Sequence, residues 1–155
     1  MLNKFNKVVF IFLLTAITFS ANAQTAEDSI KAVINKTFVA MKQSDTNMVK
    51  ECFADGAILQ TFMRQKDGKI GLTKETVSDF CKAIASIPKG AADEQVVFES
   101  IKIDGNMAAV WTPFKLYFNG KFYSCGVNSF QLIKLNGEWK IQYIIDTRTP
   151  ASKCK

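Results

Sequence analysis

The stretch from Ala108 to Arg148, AAVWTPFKLYFNGKFYSCGVNSFQLIKLNGEWKIQYIIDTR, decides the fold of this chain. Three apolar runs within it are separated by Asn119-Gly120 and Asn136-Gly137. An Asn-Gly pair readily adopts the two positive φ angles that a type I′ turn requires. The stretch is therefore predicted to form a three-stranded antiparallel meander.

The residues that precede this meander show helical spacing. Thr25 and Asp28 form a capping-box pattern before a first amphipathic helix, which is expected to end near Ser44-Asp45. A short second helix is predicted to follow and to stop at Asp55-Gly56.

The middle of the chain alternates between strand and helix signals. Strands are predicted from Ala57 to Met63 and, as a short segment, from Ile70 to Leu72. Thr73 is expected to cap a third helix, which ends at Pro88. A long strand from Val96 to Ile103 then leads into the meander. Helices first and antiparallel strands afterwards predict an α+β domain with its helices packed on one sheet face.

The first 23 residues have the three parts of a secretory signal peptide. Lys4 and Lys7 supply positive charge, an apolar run follows, and Ala21-Asn22-Ala23 matches a cleavage site. Cleavage after Ala23 would leave residues 24–155 as a single domain, exported to the periplasm or secreted. The alternative is an uncleaved anchor, but the apolar run is shorter than a bilayer-spanning helix requires.

Composition narrows the classes of function. The formal charge of +6 comes from scattered lysines, whereas a nucleic-acid-binding face would cluster them among exposed aromatics. Neither nucleic acid nor, after cleavage, a membrane is an expected partner. The chain has no histidine, and its cysteines show no metal-ligand spacing, so no metal or cofactor is predicted.

Four cysteines could pair in an oxidising compartment, and they allow three full connectivities. They are Cys52, Cys81, Cys125 and Cys154. Cys154 is the one most expected in a disulfide, because a staple would restrain the polar C-terminal tail. The alternative is four mostly buried thiols.

Several segments of this pattern resemble the nuclear-transport-factor-2-like superfamily. They are Trp111–Phe114, Cys125–Phe130 with Leu132, Trp139–Ile141 and Asp146–Arg148. That cone-shaped fold is shared by ketosteroid isomerases, scytalone dehydratase and polyketide cyclases. Within its SnoaL-like branch, the chain is similar to exported bacterial proteins grouped under the description "Putative lumazine-binding". The resemblance implies a pocket for a small molecule, for which a flat heteroaromatic is a candidate.

One face of the meander is predicted to form that pocket. Counting outward from the two Asn-Gly turns places Trp111, Asn128, Phe130 and Tyr143 together as ligand-binding residues. The aromatic rings would hold a flat ligand, and the amide of Asn128 would orient it. The alternative is that Asn128 bonds a neighbouring backbone group and the aromatic rings fill the core.

The opposite face is too apolar for a freely solvated sheet, so a homodimer through the sheet is predicted. Asp146 and Arg148 on this face are interpreted as a structural ion pair, with anion binding by Arg148 as the alternative. Pro113 opposite Gly126 indicates a bulge, and one extra residue would invert the faces beyond it. The residues assigned to this opposite face are Val110, Thr112, Phe114, Leu116, Tyr123, Cys125, Val127, Ile144, Asp146 and Arg148.

Catalysis would need a general base, and Glu99 and Asp146 are the carboxylates that lie inside apolar strands. Glu99 faces away from Trp111 if Asp104-Gly105 is a two-residue turn, and faces Trp111 if the turn has three residues. Cys125 lacks a histidine partner that would activate it as a nucleophile.

Three functions remain open from the sequence. The leading hypothesis is an exported small-molecule-binding protein. The alternatives are a general-base isomerase, dehydratase or cyclase, and a dimeric interaction module whose cavity is filled by its own side chains.

Overall fold

Three helices cover one face of a curved eight-stranded sheet in the computed structural model, which describes residues 25–64 and 67–154. The α+β prediction with its helices on one sheet face is confirmed. The predicted signal peptide lies outside the described residues. Within them, no helix is both long enough and apolar enough to cross a membrane.

The helices begin at side-chain caps. In the first, the hydroxyl of Thr25 accepts from the Asp28 backbone N–H at 3.1 Å and donates to the Asp28 carboxylate at 2.6 Å. Thr25 is thus the N-cap, as the sequence pattern predicts, and its hydroxyl satisfies a backbone donor that the first helical turn leaves unpaired; the Asp28 carboxylate bonds the Thr25 hydroxyl rather than the Thr25 backbone N–H of a full capping box. The helices are α1 (Ala26–Gln43), α2 (Thr46–Cys52) and α3 (Val77–Ala85).

The prediction that Thr73 caps the third helix is wrong. Thr73 lies within a strand and pairs with Thr61. Thr76 is the cap instead, and its hydroxyl accepts from the Asp79 backbone N–H at 3.1 Å. Both threonines can cap a helix, and pairing of residues 70–76 with the preceding strand determines which of them does.

The strands are β1 (Phe53–Arg64), β2 (Ile70–Thr76), β3 (Ala92–Val96), β4 (Ser100–Asp104), β5 (Met107–Phe118), β6 (Lys121–Leu135), β7 (Glu138–Thr147) and β8 (Thr149–Pro150). The sheet is mixed and has the order β2-β1-β7-β6-β5-β3, with β4 also paired to β5 and β8 to β6. The neighbours are antiparallel except β1 and β7, which run parallel. The prediction of one strand from Val96 to Ile103 is wrong, since β3 ends at Val96 and β4 begins at Ser100. These two strands pair with β5 in registers that differ by one residue.

Both Asn-Gly turns of the meander are confirmed. Asn119 and Gly120 have φ angles of 50° and 73°, and Asn136 and Gly137 have φ angles of 49° and 88°. Two positive φ angles are the backbone conformation that a type I′ hairpin turn requires.

A bulge in β6 lies close to the first of these turns. Tyr117 pairs with Phe122, but Leu116 pairs with Ser124, so Tyr123 is an extra residue. This shift reverses the relation between the faces of β5 and β6 beyond that point.

A second bulge lies in β7. Leu132 pairs with Ile141, whereas Gln131 pairs with Tyr143, so Gln142 is the extra residue. Beyond Gln142, even-numbered residues of β7 share a face with even-numbered residues of β6.

The two bulges overturn the predicted assignment of faces. Trp111 pairs with Ser129 rather than lying beside Asn128, and Tyr143 pairs with Gln131 on the side away from the helices. The predicted bulge at Pro113 and Gly126 is absent, since the extra residue lies nearer the turn. Five residues assigned to the opposite face are instead buried on the helix-covered face, namely Val110, Thr112, Phe114, Ile144 and Asp146.

The apolar core fills one end of this helix-covered face. Ile34 of α1 and Val49 of α2 pack in one buried cluster with Leu132 and Ile141 of the sheet. Each of these four side chains is inaccessible to solvent.

The C-terminal tail is attached to the sheet by a disulfide between Cys125 and Cys154, as expected for Cys154. In the tail, β8 pairs with Cys125 and its neighbour, and a 3₁₀ turn at Ala151–Lys153 follows. Cys52 and Cys81 are buried free thiols, and burial raises the pKa of both.

Candidate functional site

A cavity of about 380 Å³ opens at the other end of the helix-covered face. It lies between α3, β3, β5 and the bulge of β6. Most of its wall is apolar. The apolar side chains are Met41, Phe80, Ala83, Ile84, Ile87, Ala92, Phe114, Leu116 and Phe118, with Tyr123 at the bulge.

A smaller space of about 70 Å³ lies deeper, toward the middle of the sheet. Glu75, Glu94 and Arg148 line both spaces, together with Met41 and Phe80. We call the larger space the outer lobe and the smaller one the inner lobe. The shared residues make the two lobes adjacent parts of one site, with polar groups concentrated where they meet.

Glu94 and Asn128 form the central polar contact of this site. Glu94 lies on β3 between Ala92 and Val96, so strand alternation directs it to the same face as those apolar residues. The Asn128 side-chain N–H donates to the Glu94 carboxylate at 2.9 Å. Asn128 is buried, with 5% of its surface exposed. The contact leaves the amide oxygen of Asn128 and one carboxylate oxygen of Glu94 for other partners.

The environment of Glu94 favours the protonated acid. Burial raises the pKa of Glu94 from 4.5 to about 7, with a smaller contribution from the charge of Asp146. The hydrogen bond from Asn128 and the charge of Arg148 act in the opposite direction. Near neutral pH this group can therefore either accept or donate a hydrogen bond.

Asp146 and Arg148 lie on the other side of the inner lobe. The Arg148 Nε donates to the Asp146 carboxylate at 2.7 Å, so the predicted ion pair is present. Glu75 of β2 also lines the inner lobe, and burial raises its pKa. The lobe thus holds three carboxyl groups and one guanidinium, which favours hydrogen-bond donors over anions at this end.

Two of the four predicted ligand-binding residues line the cavity and two do not. Asn128 and Phe130 both line the inner lobe. Trp111 lies on the outer sheet face with 48% of its surface exposed. Tyr143 is also on the outer face, where its hydroxyl donates to the Gln60 side-chain oxygen. The bulges at Tyr123 and Gln142 each shift the strand pairing by one residue. These shifts put Trp111 and Tyr143 on the opposite sheet face from Asn128 and Phe130.

The two candidate bases also have different surroundings. Asp146 is 7% exposed and lines the inner lobe. Glu99 is exposed between β3 and β4, where its backbone N–H donates to the Trp111 carbonyl at 3.1 Å. The link to β5 is a two-residue turn, Gly105-Asn106, and Glu99 lines neither lobe.

Sequence reasoning missed Glu94, Glu75 and Ser124. Glu94 was overlooked because three of the five residues of β3 are polar, although its alternation with Ala92 and Val96 is a usable signal. The predicted cap at Thr73 puts Glu75 in the first turn of a helix, whereas it lies in β2. Ser124 lines the outer lobe, and its buried hydroxyl has no hydrogen-bond partner in the described part of the chain.

The described residues contain no group of three or more His, Cys, Asp or Glu side chains arranged to hold a metal ion. The polar chemistry of the site consists of the carboxyl groups, one amide, one hydroxyl and one guanidinium. These groups can orient a small molecule by hydrogen bonds, and a carboxyl group with a raised pKa can exchange a proton.

Solved structures similar to this chain share its fold at low sequence identity. A nuclear-transport-factor-2-like protein of unknown function from Shewanella baltica is 19% identical, with a TM-score of 0.66 over 81% of this chain and 94% of its own. A protein of unknown function with a cystatin-like fold from Nostoc punctiforme is 14% identical, with a TM-score of 0.64 over 82% and 95%. A nuclear-transport-factor-2-like protein of unknown function from Methylobacillus flagellatus is 18% identical, with a TM-score of 0.62 over 79% and 91%.

No curated protein matches the chain significantly. The profile of the family described as "Putative lumazine-binding" matches residues 25–143, which is more than half of the chain. The family and the fold together support a ligand-binding domain. This chain belongs to the "Putative lumazine-binding" family and has the nuclear-transport-factor-2-like fold.

Proposed function

We propose that this protein binds a small, flat, mainly apolar molecule in the two-lobed cavity, without carrying out a reaction on it. The Glu94–Asn128 contact at the junction of the lobes is the observation that supports this proposal best. It offers an amide, a carboxyl group that can donate or accept, and apolar walls on either side. A heteroaromatic ring with adjacent N–H and C=O groups has the matching chemistry.

The family description supports the same class of ligand, since lumazine is a small heteroaromatic. The volume of the outer lobe, about 380 Å³, falls within the usual range for small-molecule sites. The three carboxyl groups near the inner lobe would repel an anionic ring, so we expect a neutral or hydrogen-bond-donating one there.

The proposal is tested by filling the outer lobe with a large side chain and measuring whether the protein loses a bound ligand. Ala83 of α3 is exposed and lines the outer lobe, whereas Ala85 is exposed on the same helix and does not line it. Wild type, Ala83→Trp and Ala85→Trp are purified without reductant, and their non-denaturing mass spectra are recorded. In wild type and Ala85→Trp, we expect the extra mass of a bound ligand, which is released on denaturation. In Ala83→Trp, the fraction of protein that carries this ligand should be at least ten-fold lower. Equal occupancy in all three proteins would contradict the proposed cavity.

A second candidate is a general-base enzyme that uses Glu94. The pKa of about 7 favours this candidate, because a base is most effective when its pKa is near the working pH. The substrate would carry an acidic C–H next to a carbonyl group. Glu94→Gln should lower turnover by about 10²–10⁴-fold and Glu99→Gln, at an exposed site, should not. A pH–rate profile without an ionisation near 7 would contradict this role.

Export and dimerisation complete the proposal. The export signal in residues 1–23 supports delivery to the periplasm or secretion. A homodimer through the outer sheet face is supported by the apolar side chains on it, since Trp111 is 48% exposed and Val127, Tyr143 and Ile145 are partly exposed. The mass spectrum tests both, since a processed chain would begin at Gln24 and a dimer would have twice the mass.

A further inference from the structure

A groove of about 570 Å³ lies beside the outer lobe, on the side of the C-terminal tail. Its walls come from the end of β1 at Arg64, the bulged part of β6 at Ser124, and the tail residues Arg148 and Lys153. We call it the tail groove. The backbone N–H of Arg148 donates to the Phe62 carbonyl at 3.3 Å, which holds the tail beside the end of β1.

The charges of the tail groove are opposite to those of the inner lobe. Arg64, Arg148 and Lys153 line the groove, and none of the described residues that line it carries a carboxylate. Within the described residues, Arg64 and Lys153 form no ion pair with a carboxylate. Arg148 uses Nε to bond Asp146, and that bond leaves the other four N–H groups of its guanidinium for further partners.

The tail groove and the outer lobe meet at shared residues. Tyr123, Ser124 and Arg148 line both spaces. Ser124 is only 5% exposed, and its hydroxyl has no partner in the described part of the chain. A buried hydroxyl without a partner costs free energy, so its position between the two spaces points to a hydrogen bond that is completed by a ligand.

We propose that the tail groove is an anion subsite for the same ligand, whose flat body lies in the cavity and whose carboxylate or phosphoryl group lies between Arg64, Arg148 and Lys153. This inference rests on the proposed function. The hydroxyl of Ser124 donates to the linking part of the ligand or to the anion itself.

The arrangement also sets the orientation of the ligand. Carboxyl groups at the inner lobe repel an anion, whereas cations at the groove attract it. Both effects favour a ligand whose anionic end lies in the groove and whose uncharged end lies in the inner lobe. The ligand class is therefore an aromatic or heteroaromatic body with a side chain that ends in an anion.

Two fluorescent probes with the same aromatic body separate the subsite from the cavity. Anilinonaphthalene sulfonate carries an anion, and N-phenylnaphthylamine is the same body without it. The ratio of their affinities is measured by fluorescence titration for wild type, for Arg64→Gln/Lys153→Gln and for Lys50→Gln/Lys102→Gln. The last pair removes the same charge at exposed lysines of α2 and β4 that line neither the cavity nor the groove.

We expect wild type to favour the sulfonate, and Arg64→Gln/Lys153→Gln to lower that preference by about five-fold, as two exposed ion pairs would. Lys50→Gln/Lys102→Gln should keep the wild-type ratio. The proposed subsite would be overturned if all three proteins had the same affinity ratio, or if both double variants lost the preference for the sulfonate equally. Neither result would count against ligand binding in the cavity. Failure of the uncharged probe to bind, or its undiminished binding by Ala83→Trp, would instead reject the proposed function, and the subsite with it.

Discussion

The two ends of the helix-covered sheet face have opposite character, although the same strands build both. At the closed end, Leu132 and Ile141 are fully buried beneath α1 and α2. At the open end, Asn128 and Asp146 occupy the corresponding positions of β6 and β7, beside a cavity. The bulge at Gln142 lies between the two ends.

One pair of strands therefore builds both the packed core and the candidate site. Apolar side chains at the closed end gain their free energy from burial, which is complete without a partner molecule. Polar side chains at the open end are held away from water, and burial disfavours their charged forms. We therefore expect substitutions at the closed end to lower stability, and some substitutions at the open end to raise it.

The largest expected effect is at the closed end. Leu132→Ala removes a fully buried side chain and should lower the free energy of unfolding by about 4 kcal/mol, because it leaves a cavity in a packed core. Chemical denaturation measures this loss. Leu135→Ala is the matched control on the same strand, since Leu135 is 46% exposed, and it should cost about 0.5 kcal/mol. Similar losses in both variants would contradict the role of burial at the closed end.

The next effect concerns the close approach of two chain segments at Gly126. A Cβ atom at this position would lie 1.8 Å from the Thr147 carbonyl oxygen and 2.8 Å from the Phe114 ring. Gly126→Ala should lower the free energy of unfolding by about 3 kcal/mol, because a backbone atom has to move. Phe114→Leu in the same chain would relieve only the contact with the ring. By chemical denaturation, Gly126→Ala should therefore cost about as much in a Phe114→Leu chain as in wild type. A cost that disappears in the Phe114→Leu chain would show that the carbonyl is not the obstacle.

A smaller effect of opposite sign is expected at the open end. The folded protein raises the pKa of Glu94 from 4.5 to about 7, so it binds more protons than the unfolded chain between these values. Stability should therefore fall as pH rises from 4.5 to about 7 and change no further through this group above pH 7. Glu94→Gln removes this loss and should stabilise the protein at pH 8 by on the order of 2 kcal/mol.

Denaturation of Glu94→Gln and wild type at pH 4.5 and pH 8 tests this prediction. The two proteins should differ least at pH 4.5, where the wild-type carboxyl group is already protonated. Glu99→Gln is the control, since Glu99 is exposed. A variant that is less stable than wild type at pH 8 would mean that Glu94 is held as a stabilising carboxylate.

The smallest effect on the stability of a single chain is expected on the outer sheet face. Trp111→Lys changes a half-exposed residue, so the free energy of unfolding of the monomer should change by about 0.5 kcal/mol. If the outer face forms a dimer, a buried lysine should weaken it by at least ten-fold. Light scattering across a dilution series measures this weakening. An unchanged dimer would place the interface elsewhere.

The sequence predicts the turns of this fold better than its bulges. Asn119-Gly120 specifies a turn through the local φ requirement of two residues, and the structure has that turn. Tyr123 and Gln142 are residue types that fit a regular strand, so nothing local marks them as extra. Their positions depend on which side chains fit against the helices, which is a property of the whole packing.

The missed bulges also explain which residues of the candidate site the sequence predicts correctly. Asn128 and Phe130 were found because they lie on β6 itself, whereas Trp111 and Tyr143 were displaced by one-residue shifts in pairing. Glu94 lies on a five-residue strand with three polar residues, so its alternation with Ala92 and Val96 is the one local signal of its direction. One missed bulge is enough to reverse a prediction of which residues share a face of the sheet.

The burial of Cys52 and Cys81 has a consequence for oxidation of the chain. Four thiols in an unfolded chain could pair in three ways, but packing of α2 and α3 removes two of them from oxidants. In the folded chain, β8 pairs along β6, and this pairing holds Cys154 next to Cys125, with which it forms the disulfide. Folding, rather than the spacing of cysteines along the sequence, thereby selects which thiols become oxidised.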